Sequence, residues 1–130
     1  MGRTQASTIL LIEDDPQVQG LMQYSLEREG YQVAAGSSGE EGLELLRETT
    51  PSVILLDNKL PGIDGYLTCQ RIRQLFDIPI IMVTSMDQID EKILGYEVGA
   101  DLYITKPFSL LELLAHVKSV IRRYTGDDDF

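Results

Sequence analysis

An α/β fold built on a single parallel sheet is what this sequence predicts, and three observations predict it. Short apolar runs with β-branched residues alternate with amphipathic stretches five times along the 130 residues. The runs are apolar at consecutive positions, as strands covered on both faces require. The amphipathic stretches carry helix-start signals, which supply the crossovers that parallel pairing needs.

The first run, residues 8–13, leads into Glu13-Asp14-Asp15. Asp15 followed by Pro16 reads as a helix N-cap with proline at the first helical position. Val18, Leu21, Met22, Ser25 and Leu26 then form one stripe, and Gly30 ends the helix. The second run is 31–35, after which Ser38-Gly39-Glu40-Glu41 fits a capping box ahead of Leu43, Leu45 and Leu46. The third run, 52–57, closes on Asp57; Asp64 and Gly65 precede a helix expected to turn Leu67, Ile72 and Leu75 inward. The fourth run, 79–84, closes on Thr84, and Asp87 begins a helix with Ile89, Ile93 and Leu94 apolar that stops near Gly99. The fifth run, 102–105, leads into Lys106. Ser109 with Glu112 caps the last helix, whose Leu110, Leu113, Leu114, Val117, Val120 and Ile121 face the core. Arg122 and Arg123 fall in its final turn, where cations suit the helix dipole. Five βα units of this length predict a flavodoxin-like, doubly wound sheet of strand order 2-1-3-4-5. Residues 1–7 read as an N-terminal arm, 8–124 as one domain, and 125–130 as an acidic tail or the start of a linker.

Composition narrows the function classes. Hydrophobic residues make up 43% and charged residues 25%, ordinary for a soluble globular domain. No apolar stretch approaches the ~20 residues that span a bilayer, and no signal-like segment opens the chain, so a cytoplasmic protein is expected. The net charge of −10 repels nucleic acid and anionic membrane, so neither is an expected direct partner. One cysteine, Cys69, excludes an internal disulfide, and one histidine, His116, leaves no Cys/His cluster for zinc.

The chemistry gathers at the strand ends. In the predicted sheet Glu13, Asp14, Asp57, Thr84 and Lys106 all emerge at one edge, in the crevice beyond strands 1 and 3. Taken singly, acids after strands are turn and cap residues, a threonine is a β-former and a lysine is solvated. Asp57 is harder to dismiss, because it follows five residues suited to a core strand. Clustered carboxylates cannot all stay ionised without a cation. Hard oxygen ligands suit Mg2+ or Mn2+ rather than zinc. A carboxylate is also a competent nucleophile toward a phosphoryl group, and such a transfer needs charge neutralisation on the phosphoryl oxygens.

The segments ILLIEDD (9–15), VILLDNKLPGIDG (53–65), PIIMVTS (79–85) and GADLYITKPF (99–108) resemble the receiver domain of bacterial two-component response regulators. The resemblance covers about residues 8 to 123 and is closest in pattern to the OmpR/PhoB winged-helix transcription-factor branch. It implies that Asp57 is the phosphoacceptor, that Asp14 ligates Mg2+ directly and that Glu13 helps through water. The backbone carbonyl of Lys59 would add a ligand. Thr84 and Tyr103 would be the switch pair and Lys106 the phosphate-binding cation, with Lys106-Pro107 cis. The implied partner is a sensor histidine kinase or histidine phosphotransfer protein that passes a phosphoryl group to Asp57. The implied output is a changed surface on the fourth helix, fifth strand and fifth helix, where that branch forms phosphorylation-dependent homodimers. Lys92, Asp101, Glu112 and Arg123 match its charge pattern. Leu102 stands where an acid is usual and His116 where an arginine is usual, which removes one cross-dimer ion pair. Lys59 is a second departure, since a neutral residue is common there.

Three rivals differ in chemistry or output. A stand-alone phosphorelay receiver would share the site but not the transcriptional role. An aspartyl-phosphate phosphohydrolase of the haloacid dehalogenase kind wants an acid two residues after its nucleophile, where this chain has Lys59. A flavin or nucleotide binder needs a loop that cradles phosphate, whereas Glu13-Asp14-Asp15 presents three negative charges and no glycine-rich phosphate loop follows any strand.

Overall fold

The structure, a computed structural model, describes residues 7–84 and 99–125. Its five strands are β1 (Thr8–Ile12), β2 (Gln32–Gly36), β3 (Val53–Asp57), β4 (Ile80–Thr84) and β5 (Leu102–Thr105). All pair in parallel, in the order β2-β1-β3-β4-β5. The described helices are α1 (Pro16–Arg28), α2 (Gly39–Leu46), α3 (Gly65–Leu75) and a C-terminal helix (Leu110–Thr125). The helix expected from Asp87, with Lys92 on it, and the acidic tail from Gly126 lie outside the described residues.

Alternation along each strand builds two cores, one on each face of the sheet. Ile9, Leu11, Leu55 and Ile81 meet Met22 and Leu26 of α1 and Leu113 and Val117 of the C-terminal helix. Leu10, Ile12, Ile54 and Leu56 meet Leu46 of α2 and Cys69 and Ile72 of α3. Because both faces are covered, the central strands carry no polar alternation until they reach the sheet edge.

The helix starts follow the sequence signals. Asp15 accepts from the Gln17 and Val18 amides, Asp64 from Leu67 and Ser109 from Glu112. Ser38 accepts from the Glu41 N–H at 3.1 Å, as a capping box requires. The reciprocal arm is displaced by one residue, the Glu41 carboxylate accepting from the Ser37 amide at 2.7 Å.

Two inward stripes need correction. On α3, Leu67 and Leu75 are 37% and 75% exposed, and the buried face is Gly65, Thr68, Cys69 and Ile72. The small Gly65, Thr68 and Cys69 let the helix settle onto the sheet, and that phase turns Leu67 away and leaves Leu75 in the last turn. On α1, Met22 and Leu26 are buried but Leu21 is 54% exposed, beside Pro107, Phe108 and Leu110.

Gly20 sits inside α1 with no atom within 4 Å of where a Cβ would stand. Gly20→Ala therefore removes backbone freedom without a clash and is expected to stabilise the fold by about 0.5–1 kcal/mol. A urea titration showing no gain would contradict this.

Arg73 ties the end of α3 to the segments around it. Its guanidinium donates to the carbonyls of Gly99 (3.0 Å), Ile78 (2.6 Å) and Phe76 (3.4 Å) and pairs with Asp101 at 2.5 Å. The same Asp101 carboxylate accepts the Ile80 amide at 2.8 Å. Arg73→Met is expected to cost about 2 kcal/mol, because it strips a half-buried carboxylate and backbone carbonyls of a charged donor. The shift of the urea midpoint measures it.

Candidate functional site

The chain leaves β1, β3 and β5 at one edge of the sheet, and the polar residues there converge. Glu13 continues the β1 ladder one residue further, its N–H donating to Gly36 O at 3.0 Å. Glu13 and Asp57 are only 2% and 5% exposed. Lys106, just past β5, bridges them: its Nζ lies 3.2 Å from Glu13 Oε1 and 3.2 Å from Asp57 Oδ2. The remaining oxygens are also engaged, Asp57 Oδ1 accepting the Lys59 amide and Glu13 Oε2 the Asp15 amide, each at 3.1 Å. The Lys106-Pro107 bond is cis.

Asp14 is exposed and stands over this pair. Carboxylate oxygens of Glu13, Asp14 and Asp57 lie within 4.8 Å of one another, close enough to share one ion. Burial, followed by the charge of Asp57, holds the Glu13 carboxyl above its ordinary range. For Lys106 burial opposes the charge, but the Asp57 and Glu13 carboxylates outweigh it and hold the ammonium above its usual value. One ammonium thus faces two buried carboxylates, with a third acid at the rim. This surplus of hard oxygen donors fits a divalent cation such as Mg2+, and no thiolate or imidazole stands among them.

The other expected residues are placed as follows. Thr84 is fully buried at the end of β4, one position beyond Val83, which pairs with Asp57, and it pairs with Thr105. Tyr103 is half-buried and packs against the core on the α2–α3 side. The Lys59 side chain is exposed beside the acidic cluster and, with Asp14, Asn58, Asp64 and Tyr66, lines an open cavity of about 530 Å3. On the expected dimer face, Asp101 is engaged by Arg73 of its own chain. Leu102 is half-buried, Arg123 is exposed, and His116 lies 3.9 Å from Glu112 one turn away.

Sequence reasoning missed residues that act on the site from outside it. Gln19 Nε2 donates to Glu13 O at 2.8 Å and to Gly36 O at 3.0 Å. Its only sequence signal is a polar side chain flanked by the inward-facing Val18 and Met22. Glu40 Oε2 accepts the Ile63 amide at 3.3 Å, joining α2 to the loop after Asp57.

A doubly wound parallel sheet thus carries, at its switch point, a cluster of carboxylates paired with the Lys106 ammonium and able to share a divalent cation. Residues 9–118 match the response regulator receiver domain, and the chain belongs to that family. A response regulator from Chloroflexus aurantiacus is 38% identical with a TM-score of 0.85, over 92% of this chain and 100% of that one. The CheY-like receiver domain protein of Methanospirillum hungatei is 27% identical with a TM-score of 0.90, over 95% and 100%. The BeF3-activated N-terminal receiver domain of Klebsiella pneumoniae RstA is 34% identical with a TM-score of 0.86, over 89% and 99%. Among the described residues no helix is long and apolar enough to cross a membrane.

Proposed function

We propose that the chain is a cytoplasmic, Mg2+-dependent phosphoacceptor switch that takes a phosphoryl group from a histidine of a sensor kinase or phosphotransfer protein onto Asp57. The observation that carries this reading is Lys106 Nζ at 3.2 Å from both Glu13 and Asp57, with Asp14 completing the acidic cluster. An Asp57 carboxylate oxygen attacks phosphorus as the P–N bond to the donor imidazole breaks, and the bonding pair returns to that nitrogen. Asp57 becomes an acyl phosphate. A Mg2+ held by Glu13, Asp14, Asp57 and the Lys59 carbonyl would supply charge neutralisation on the transferring oxygens. Lys106, already beside Asp57, neutralises another of them, and the Thr84 hydroxyl meets a third.

The switch follows from that last contact. Drawing Thr84 toward the phosphate frees space that Tyr103 fills, which changes the surface around β5 and the C-terminal helix. That surface is proposed to control an output of the OmpR/PhoB kind through homodimers, carried by Lys92, Asp101, Glu112 and Arg123. Leu102 and His116 leave that dimer one ion pair short. A stand-alone phosphorelay receiver is the other output. Sedimentation with and without beryllofluoride separates the two, since only the first predicts association on activation. Slow hydrolysis of the acyl phosphate is the only turnover proposed.

Incubation with acetyl phosphate and Mg2+ is expected to add one phosphoryl group per chain, in a bond that hydroxylamine cleaves. EDTA should suppress uptake by about 10²-fold or more, the range for removing a group that stabilises transition-state charge. Rapid turnover of a phosphate ester without a stable adduct, or uptake indifferent to EDTA, would contradict the reading.

A further inference from the structure

Gln19 contributes no oxygen to the acidic cluster, yet it is hydrogen-bonded to the turn that carries two of its members. Its carboxamide nitrogen donates to Glu13 O at 2.8 Å and to Gly36 O at 3.0 Å, with Ser37 Oγ at 3.4 Å. Two carbonyl acceptors use both amide protons, which also decides which end of the carboxamide faces them. Gly36 O receives the Glu13 N–H as well, at 3.0 Å. The peptide groups on both sides of Glu13 are therefore fixed, the preceding one through its N–H and the following one through its C=O. The second is the peptide that orients Asp14. No hydrogen bond or ion pair is made by the Asp14 side chain itself among the described residues, so what limits the reach of its carboxylate is the backbone that carries it, starting with the Glu13–Asp14 peptide.

We propose that Gln19 is a positioning residue for the metal site: by clamping Glu13 O and Gly36 O from one turn inside α1, it aims the Asp14 carboxylate at the oxygens of Glu13 and Asp57. The proposal rests on the cation-binding reading above. Only a donor serves at this position. A glutamate would set a carboxylate against two carbonyl oxygens, and a methionine would fill the space and leave both carbonyls without that donor.

The test uses Gln19→Met and Gln19→Glu in the full chain, with Gln23→Met as control, since among the described residues Gln23 Nε2 donates to the Glu27 side chain and not to the turn. Mg2+ titrated alone and followed by NMR is expected to bind about 10-fold more weakly to both Gln19 variants, the usual effect of losing a partner that orients a ligand. Phosphoryl uptake from acetyl phosphate should need correspondingly more Mg2+ and return to the wild-type rate at saturation. In metal-free protein the Glu13 and Asp15 amides should exchange about 10-fold faster while Leu55 in β3 stays protected. Unchanged Mg2+ affinity with unchanged Glu13 and Asp15 exchange would overturn the proposal. So would uniform acceleration across the sheet, which marks a merely structural role. If wild-type protein binds no Mg2+, the cation-binding reading falls, and the metal-free exchange at Glu13 and Asp15 still decides whether Gln19 holds the turn.

Discussion

Asp57→Asn is expected to take up no phosphoryl group from acetyl phosphate under conditions that fully label the wild type. Losing the nucleophile should lower the rate by on the order of 10³-fold or more, comparable with removing the attacking residue of other covalent catalysts. The amide nitrogen is not a nucleophile, and Lys106 then faces one buried carboxylate in place of two. The same substitution acts on stability with the opposite sign. Glu13 has its carboxyl raised by burial and by the Asp57 charge. An acid with a raised folded-state pKa binds protons more tightly when folded. It therefore lowers stability progressively as pH rises from 4.5 through the raised value, and the full cost stands at neutral pH. Asp57→Asn removes the part of that cost owed to Asp57, and the weakened Lys106 contact offsets some of the gain. Metal-free Asp57→Asn is expected to be about 1 kcal/mol more stable than wild type at pH 7, a modest share of the ~4 kcal/mol for adjacent unit charges near a protein surface. The advantage should fade in acid, where Glu13 is protonated in both proteins. Excess Mg2+ should reverse the order. Urea midpoints across pH, with and without Mg2+, measure all three. A destabilised metal-free variant at pH 7 would refute the electrostatic account.

Gly65→Ala should be the most disruptive small substitution near the site. A Cβ at Gly65 would stand 2.1 Å from the Asp57 carbonyl oxygen and 2.6 Å from the Asn58 Cα. Both are backbone atoms, so no rotamer change relieves the clash. The first turn of α3 is held this close by the Gly65 N–H, which donates to Asn58 O at 3.1 Å. Either α3 lifts from the sheet or Asp57 shifts, at a cost of about 3 kcal/mol. Phosphoryl uptake should fall by at least about 10-fold, since misplacing a reacting group by an ångström costs up to roughly 10²-fold. Gly20→Ala, the same chemical change in open space, provides the control. Equal behaviour of the two alanine variants would refute the packing argument.

Much of this was legible beforehand because it depends on short-range rules. Strand runs, caps at Asp15, Ser38, Asp64 and Ser109, and a switch point between β1 and β3 all follow from residue types at fixed offsets. The four motifs also pointed to Glu13, Asp14, Asp57 and Lys106, which the fold brings into one cluster. Leu67 and Leu75 were misread because helix phase is set by what packs beneath the helix, and on α3 the small Gly65, Thr68 and Cys69 outweigh the larger leucines. Asp101 fits a dimer pattern in the linear chain, and the fold adds a contact that pattern does not contain: Arg73, distant in sequence, reaches its carboxylate. Gln19 shows the same limit. A polar side chain between Val18 and Met22 is its one signal, and the contacts to Glu13 and Gly36 arise only where α1 folds back over the ends of β1 and β2.

Residue order alone determined the class of fold and the sheet edge where the acids gather, and it singled out Asp57 among them, because hydrophobic period and strand-end position are local properties. Only the folded chain decided how that acid is held: Lys106 between two carboxylates, Gly65 against the Asp57 carbonyl, Gln19 on the backbone of Glu13. Those contacts join residues far apart in sequence, and their strength depends on distance and burial, which no linear pattern contains.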